Sequence, residues 1–142
     1  MKTIKQLIQD HHRDIWSVNP DDSVQSAVSQ LAEKNIGVLL VLENGKLAGI
    51  LSERDCARKV LLSDKSAHDT QVREIMSARV ICGRPENTID ECMALMTEKD
   101  IRHLPIMDGG QLVCLVSLGE LVRSIIDEQQ TVIDHLEHYI AG

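Results

Sequence analysis

Ser52 and Asp55 stand three residues apart at the end of an apolar run, in Gly49-Ile50-Leu51-Ser52-Glu53-Arg54-Asp55. If Ser52 marks a corner where a strand turns into a helix, the free N–H groups of the first helical turn point outward beside the positive end of the helix dipole. That is an arrangement suited to an anion. Asp55 can then accept two hydrogen bonds from a vicinal diol, because one carboxylate presents two oxygens. The same spacing is also that of a capping box, in which the hydroxyl and the acid satisfy their own helix end. From the spacing alone both readings stand. The pattern recurs at Ser117-Leu118-Gly119-Glu120. Cationic side chains lie near each copy: Arg54, Arg58 and Lys59 beside the first, Arg102 and His103 upstream of the second. Each reads singly as solvated surface charge, and as a group they stand where a phosphate would need them.

The other groups capable of chemistry are dispersed. Cys56, Cys82, Cys92 and Cys114 form no C-x-x-C pair and read as small core residues in a reducing compartment. His11 and His12 are adjacent, His68 is isolated, and His135 and His138 share a helical face without the ligand spacing of a zinc site. No metal is expected. There is no G-x-G-x-x-G fingerprint, no phosphate loop and no nucleophile elbow.

The elements that must position the serines follow from an internal repeat. Sliding the chain by 65 positions aligns residues 15–61 with 80–126 without a gap. Pro20 meets Pro85, Ile36 meets Ile101, Gly45 meets Gly110, Ser52 meets Ser117 and Arg58 meets Arg123. Each copy predicts an extended segment (15–18, 80–82), a proline turn, and a helix opened by Ser23 or Thr88 that stops near Asn35 or Asp100. A buried strand (37–42, 103–107) follows. Then come Asn44-Gly45 or Gly109-Gly110, which suit a tight hairpin, and a return strand (47–51, 112–116) that ends at the serine. Thr88-Ile89-Asp90-Glu91 reads as a capping box.

The fold class expected is therefore α+β: tandem β-α-β-β-α repeats packed with pseudo-twofold symmetry, plus an N-terminal helix over 1–9 and an extended C-terminal helix. Repeat one spans about 13–62, a linker with a helical turn at 72–76 covers 63–79, repeat two spans about 80–126, and the helix extension runs over 127–142. The apolar positions Val132, Ile133, Leu136 and Ile140 on that extension find no cover in the repeat pattern and point to a homodimer.

Composition narrows the function. The chain has 142 residues, 43% hydrophobic and 26% charged, with a formal charge of −7 and one Trp, one Tyr and no Phe. An acidic chain without aromatic platforms is a poor nucleic-acid binder. The longest apolar stretch is too short to cross a bilayer, and polar residues interrupt the opening MKTIKQLIQDHH before a signal segment forms, so a cytoplasmic protein without membrane contact is expected.

A gapless duplication of β-α-β-β-α units with Gly-Ile-x-Ser-x-x-Asp after the first hairpin resembles the cystathionine-β-synthase (CBS) domain pair, or Bateman module. Ile101-Arg102-His103-Leu104-Pro105-Ile106 followed by Asp108-Gly109-Gly110 is similar to that family's second-strand signature. The resemblance covers about residues 15–126. It implies an adenosine-containing ligand (AMP, ADP, ATP or NAD(H)) held in two clefts between the repeats. One cleft would combine Ile50, Ser52, Arg54 and Asp55 with Arg79, Val80, Ile81 and Ile101. The other would combine Leu115, Ser117, Gly119 and Glu120 with Ile15, Trp16 and Ile36, with Arg102 and His103 reaching for phosphate. Trp16 reads equally as a core filler. The second copy departs from the pattern, with Cys114 in place of the glycine and Glu120 in place of the aspartate.

The resulting expectation is a non-enzymatic regulatory module that senses energy or redox state and signals to a separate, unidentified effector. A ligand-independent interaction scaffold is the main rival, and a small nucleotide-processing enzyme the lesser one.

Overall fold

The structure is a computed structural model and describes residues 2–9 and 13–141. His11 and His12 lie outside the described residues, as do Met1, Asp10 and Gly142. The elements run α1 (Ile4–Ile8), β1 (Ser17–Val18), α2 (Val24–Lys34), β2 (Val38–Glu43), β3 (Lys46–Ser52), α3 (Glu53–Cys56, continued by a π-helical turn Ala57–Leu61), α4 (Val72–Ile75), α5 (Ile89–Lys99), β4 (His103–Asp108), β5 (Gln111–Ser117) and α6 (Leu118–Ala141). The chain divides into two compact units. One holds Asp14–Ile81 with Gly110–Leu112, and the other holds Met1–Arg13, Cys82–Gly109 and Val113–Gly142.

In the first of these units, β1 pairs parallel with β2, which pairs antiparallel with β3. Asn44 and Gly45, both at positive φ (53° and 78°), make the hairpin turn. A register shift between Val41 and Leu42 marks a bulge that re-aims the end of the ladder. Ser23 caps α2 by accepting from the Ser26 N–H at 3.1 Å, and Asn35 ends it in the left-handed region, where an Asn pays little steric penalty. Val24, Ala27 and Leu31, spaced at helical intervals, are buried in one core with Val18, Leu39, Val41, Leu51 and Val60. The other unit repeats this plan: Thr88 and Asp100 bound α5, whose buried face is Ile89, Cys92 and Met96, and Gly109 and Gly110 turn β4 into β5. The expected capping box at Thr88 is only half formed. Thr88 Oγ1 accepts from the Glu91 N–H, but the Glu91 carboxylate accepts from the Thr88 hydroxyl and the Asn87 amide instead of returning to the Thr88 backbone.

The expected leading strands are shorter than the pattern predicts. β1 is confined to two residues, and residues 80–82 form no strand. In the first copy the Leu40 N–H donates to the Trp16 carbonyl at 3.3 Å. The residue 65 positions on from Leu40 is Pro105, which has no N–H to offer Ile81. A parallel bridge forms further along, where Gly83 donates to the Pro105 carbonyl and accepts from Met107, both at 2.9 Å.

The repeat also reaches further than residues 15–126. Helix α1 and the linker helix α4 are equivalent, 68 positions apart: Thr3-Ile4-Lys5-Gln6-Leu7 matches Gln71-Val72-Arg73-Glu74-Ile75, and in both the side chain three residues on, Gln6 or Glu74, accepts from the N-cap N–H. Their anchoring is equivalent as well. Ile4 N–H donates to Asn87 and Lys5 N–H to Pro85, while Val72 N–H donates to Asp22 and Arg73 N–H to Pro20. Each helix thus docks on the repeat other than the one it leads into: α1 precedes repeat one and joins repeat two, and α4 precedes repeat two and joins repeat one. The segment expected to be a linker is an integral part of its unit.

After α4 the chain lies along β3, where Ser77 and Ile50 exchange backbone hydrogen bonds of 2.9 and 3.0 Å. Gly49 makes that approach possible, since a Cβ there would stand 2.7 Å from Met76 Sδ and 2.9 Å from the Ser77 carbonyl oxygen. Gly49→Ala is expected to destabilise the protein by about 1–3 kcal/mol through overpacking, read as a lower midpoint in urea denaturation. An unchanged midpoint would contradict this account of the glycine.

Candidate functional site

Both serine motifs sit where a strand runs straight into a helix. β3 ends at Ser52, which has extended backbone (φ −110°, ψ 159°) and caps α3. Ser52 Oγ accepts from the Asp55 N–H at 3.0 Å, and Asp55 Oδ2 accepts from the Ser52 N–H at 3.2 Å. At the end of β5, Ser117 Oγ accepts from the Glu120 N–H at 3.2 Å and Glu120 Oε1 accepts from the Ser117 N–H at 3.3 Å. The capping reading is therefore realised in both copies. Capping commits one oxygen of each acid, and the fate of the other distinguishes the two motifs.

At Asp55, Oδ1 stands 3.5 Å from Lys59 Nζ, one helical turn on. Lys59 is almost half exposed and donates at 3.0 Å to the Ile75 carbonyl, so its hold on Asp55 is solvent-screened and weak. The Asp55 side chain keeps 18% of its surface accessible. At Glu120, the Arg13 guanidinium forms an ion pair with Oε2 and donates at 3.1 Å to Oε1, while the same Nη1 donates at 3.1 Å to the Leu115 carbonyl. Arg13 is 18% exposed, and its buried Nε finds no partner among the described residues. Arg13 was not among the residues singled out from the sequence, because it falls in the three-residue excess that separates the 68-residue register of the short helices from the 65-residue register of the repeats.

Of the residues expected around the first motif, Ile50, Ser52, Arg54, Asp55, Arg79, Val80 and Ile81 belong to one unit and Ile101 to the other. Around the second, Leu115, Ser117, Gly119, Glu120, Arg102 and His103 share a unit, while Ile15, Trp16 and Ile36 lie in the first. Arg54, Arg58, Lys59 and Arg102 are exposed, and the Arg102 carbonyl accepts from the Leu118 N–H at 2.8 Å. A shallow cavity lined by Arg102, His103, Ser117, Leu118, Gly119 and Val122 opens at the start of α6. Trp16 is no core filler: it is 38% exposed, and Lys34 Nζ sits 4.3 Å from its ring centroid.

Burial pushes the thiols of Cys56, Cys82, Cys92 and Cys114 up, which makes them poor nucleophiles, although Cys82 is only half-buried. No three His, Cys, Asp or Glu side chains are grouped to hold a metal among the described residues, and His135 and His138 are exposed on α6. Likewise no helix of the described residues is long and apolar enough to cross a membrane.

His103 is half-buried, and desolvation lowers its pKa below the ordinary 6.5. It is neutral at physiological pH and offers an N–H rather than a charge. As pH falls below about 6.5, the unfolded chain takes up a proton here that the folded chain resists, so stability drops with pH over that window. His103→Gln is expected to flatten the acid side of the stability profile below about pH 6.5, measured by urea denaturation at each pH. A profile identical to that of the wild type would contradict the burial argument.

A family model described as the CBS domain matches residues 4–62 and 72–127. The second match begins at the residue equivalent to the first in the 68-residue register, as the paired short helices require. The Arabidopsis thaliana protein "CBS domain-containing protein CBSX3, mitochondrial" is 35% identical over 133 residues, covering 90% of this chain, and the chain spans only 64% of that relative's length. A solved CBS-domain protein of Burkholderia ambifaria MC40-6 is 46% identical, with TM-score 0.85, covering 90% of this chain and 96% of that one. The CBS domain pair of protein MJ0100, solved in complex with 5′-methylthioadenosine and S-adenosyl-L-methionine, shares the fold at TM-score 0.78 and 23% identity, covering 90% of this chain and 98% of that one.

Proposed function

The chain belongs to the CBS-domain family, and on that premise we propose that it is a regulatory module that binds an adenosine-containing ligand at the Ser52–Asp55 motif and reports to a separate effector protein. The ligand class is AMP, ADP, ATP or NAD(H). The observation that carries this reading is the state of Asp55: one carboxylate oxygen caps the helix, and the other faces, among the described residues, a solvent-screened lysine. A ribose diol can take that oxygen without breaking the cap. Arg54, Arg58 and Lys59, exposed along the same helix, supply cations for phosphate in an otherwise acidic protein. The ligands of the MJ0100 pair, both adenosine derivatives, support the class. Regulation follows if the ligand prefers one conformation of the module over another, where a preference of about 1–3 kcal/mol makes a useful switch.

The ligand test is thermal. AMP, ADP, ATP, NAD and NADH are each added to the wild type and to Asp55→Asn, and unfolding is followed by fluorimetry. A ligand at about a hundred times its Kd stabilises the folded state by about 2.7 kcal/mol, and the Asn variant is expected to lose that gain. Equal stabilisation of the two proteins, or of neither, contradicts the reading and favours a ligand-independent scaffold.

A second copy of the chain is the partner we assign to α6. Along it Ile126, Ile133 and Ile140 recur every seven residues, as do Val122, Gln129 and Leu136, and all of the apolar members are exposed. Isoleucine fills one seam position throughout and the other holds valine, glutamine and leucine, a β-branched seam with one polar residue of the kind found in two-stranded helix pairs. Sedimentation equilibrium is expected to return a dimer for the wild type and a monomer for Ile133→Glu. A monomeric wild type excludes the pairing.

A further inference from the structure

The two acids differ in the partner each has rather than in exposure: the Glu120 side chain, 30% accessible against 18% for Asp55, is held by an arginine, and Asp55 by a lysine. In the first unit the Ile50 carbonyl of β3 is satisfied by the Ser77 backbone N–H at 2.9 Å, an approach that Gly49 permits. The equivalent carbonyl, 65 residues on, is Leu115 of β5, and the residue equivalent to Gly49 is the buried Cys114. A side chain now stands where the glycine left space, and the Leu115 carbonyl is satisfied by Arg13 Nη1 at 3.1 Å. The same guanidinium engages both oxygens of Glu120. Three departures from the first motif therefore act together: cysteine for glycine, the longer glutamate for aspartate, and Arg13 at the strand carbonyl in place of a backbone N–H.

We propose that Arg13 is an internal ligand of the second motif, and that it confines nucleotide binding to the first. This rests on the binding reading given for Asp55. A carboxylate with one oxygen in a cap can take a diol only through its remaining lone pairs, and here the arginine fork occupies both oxygens, through a hydrogen bond to Oε1 and an ion pair with Oε2. The neutral hydroxyls of a ribose would have to displace that fork and leave a half-buried guanidinium without its acid. At Asp55 the competitor is an exposed lysine at 3.5 Å, which a ligand displaces readily. Arg13 thus sets which of two duplicated sites is a receptor and which is a clasp fastening the segment after α1 to the start of α6.

Calorimetric titration of the full chain with AMP, ATP and S-adenosylmethionine, each in turn, tests this through stoichiometry. The wild type is expected to bind a single equivalent that Asp55→Asn abolishes. Arg13→Gln is expected to admit a second equivalent, which persists when Asp55→Asn is added. Should Arg13→Gln fail to give a native circular-dichroism spectrum, Arg13→Lys serves, because an ammonium cannot bond both oxygens and the Leu115 carbonyl in the same fork. Two equivalents in the wild type, or a single one in the Arg13 variants, overturn the inference and leave the Asp55 reading standing. No binding in any of the proteins overturns both.

Discussion

The structure depends on a single corner made twice: a strand whose last residue is a serine that must cap the helix beginning at the next position. The reciprocal pair of hydrogen bonds at Ser52 and Asp55, and again at Ser117 and Glu120, satisfies the orphan donors that such a turn creates. It also fixes each acid at the mouth of a helix with one oxygen spoken for. What either motif can do next depends on what reaches the other oxygen. Capping and binding are thus successive demands on one carboxylate, and the structural role sets the terms of the functional one.

Duplication supplies two such corners, and their surroundings have diverged by small steps with large consequences. Where Gly49 leaves room, the backbone after α4 closes on β3. Where Cys114 does not, a side chain from the segment after α1 takes over the same carbonyl. The two short helices that lead into these segments are alike in sequence, capping and anchoring, so the divergence is confined to the few residues that follow them. In such a protein a site is defined less by its motif than by the strand of chain that passes over it.

Much of this was legible in the sequence because the signals were local. The period-65 repeat, the hairpin glycines and the left-handed ends at Asn35 and Asp100 are dictated by residue type over a few positions. The family resemblance, read from the first motif and from the Ile101–Ile106 stretch, agrees with the comparisons. What escaped was non-local or depended on a missing atom. The strand at 80–82 fails because Pro105, more than twenty residues away, has no N–H to offer it. The kinship of α1 and α4 lies in a different register, 68 rather than 65, which a gapless alignment of the repeats does not reach. Arg13 carries no motif at all, and only its contacts with Glu120 and Leu115 bring it to notice.

The central claim, that Asp55 is the anchor for an adenosyl ligand, is tested most directly by recording amide ¹H–¹⁵N spectra of the protein while AMP is added. The account predicts saturable shifts concentrated at the amides of residues 50–56, with those of residues 117–121 unmoved. Shifts centred on residues 117–121, or a spectrum unchanged at millimolar AMP, ATP and NAD alike, would contradict it.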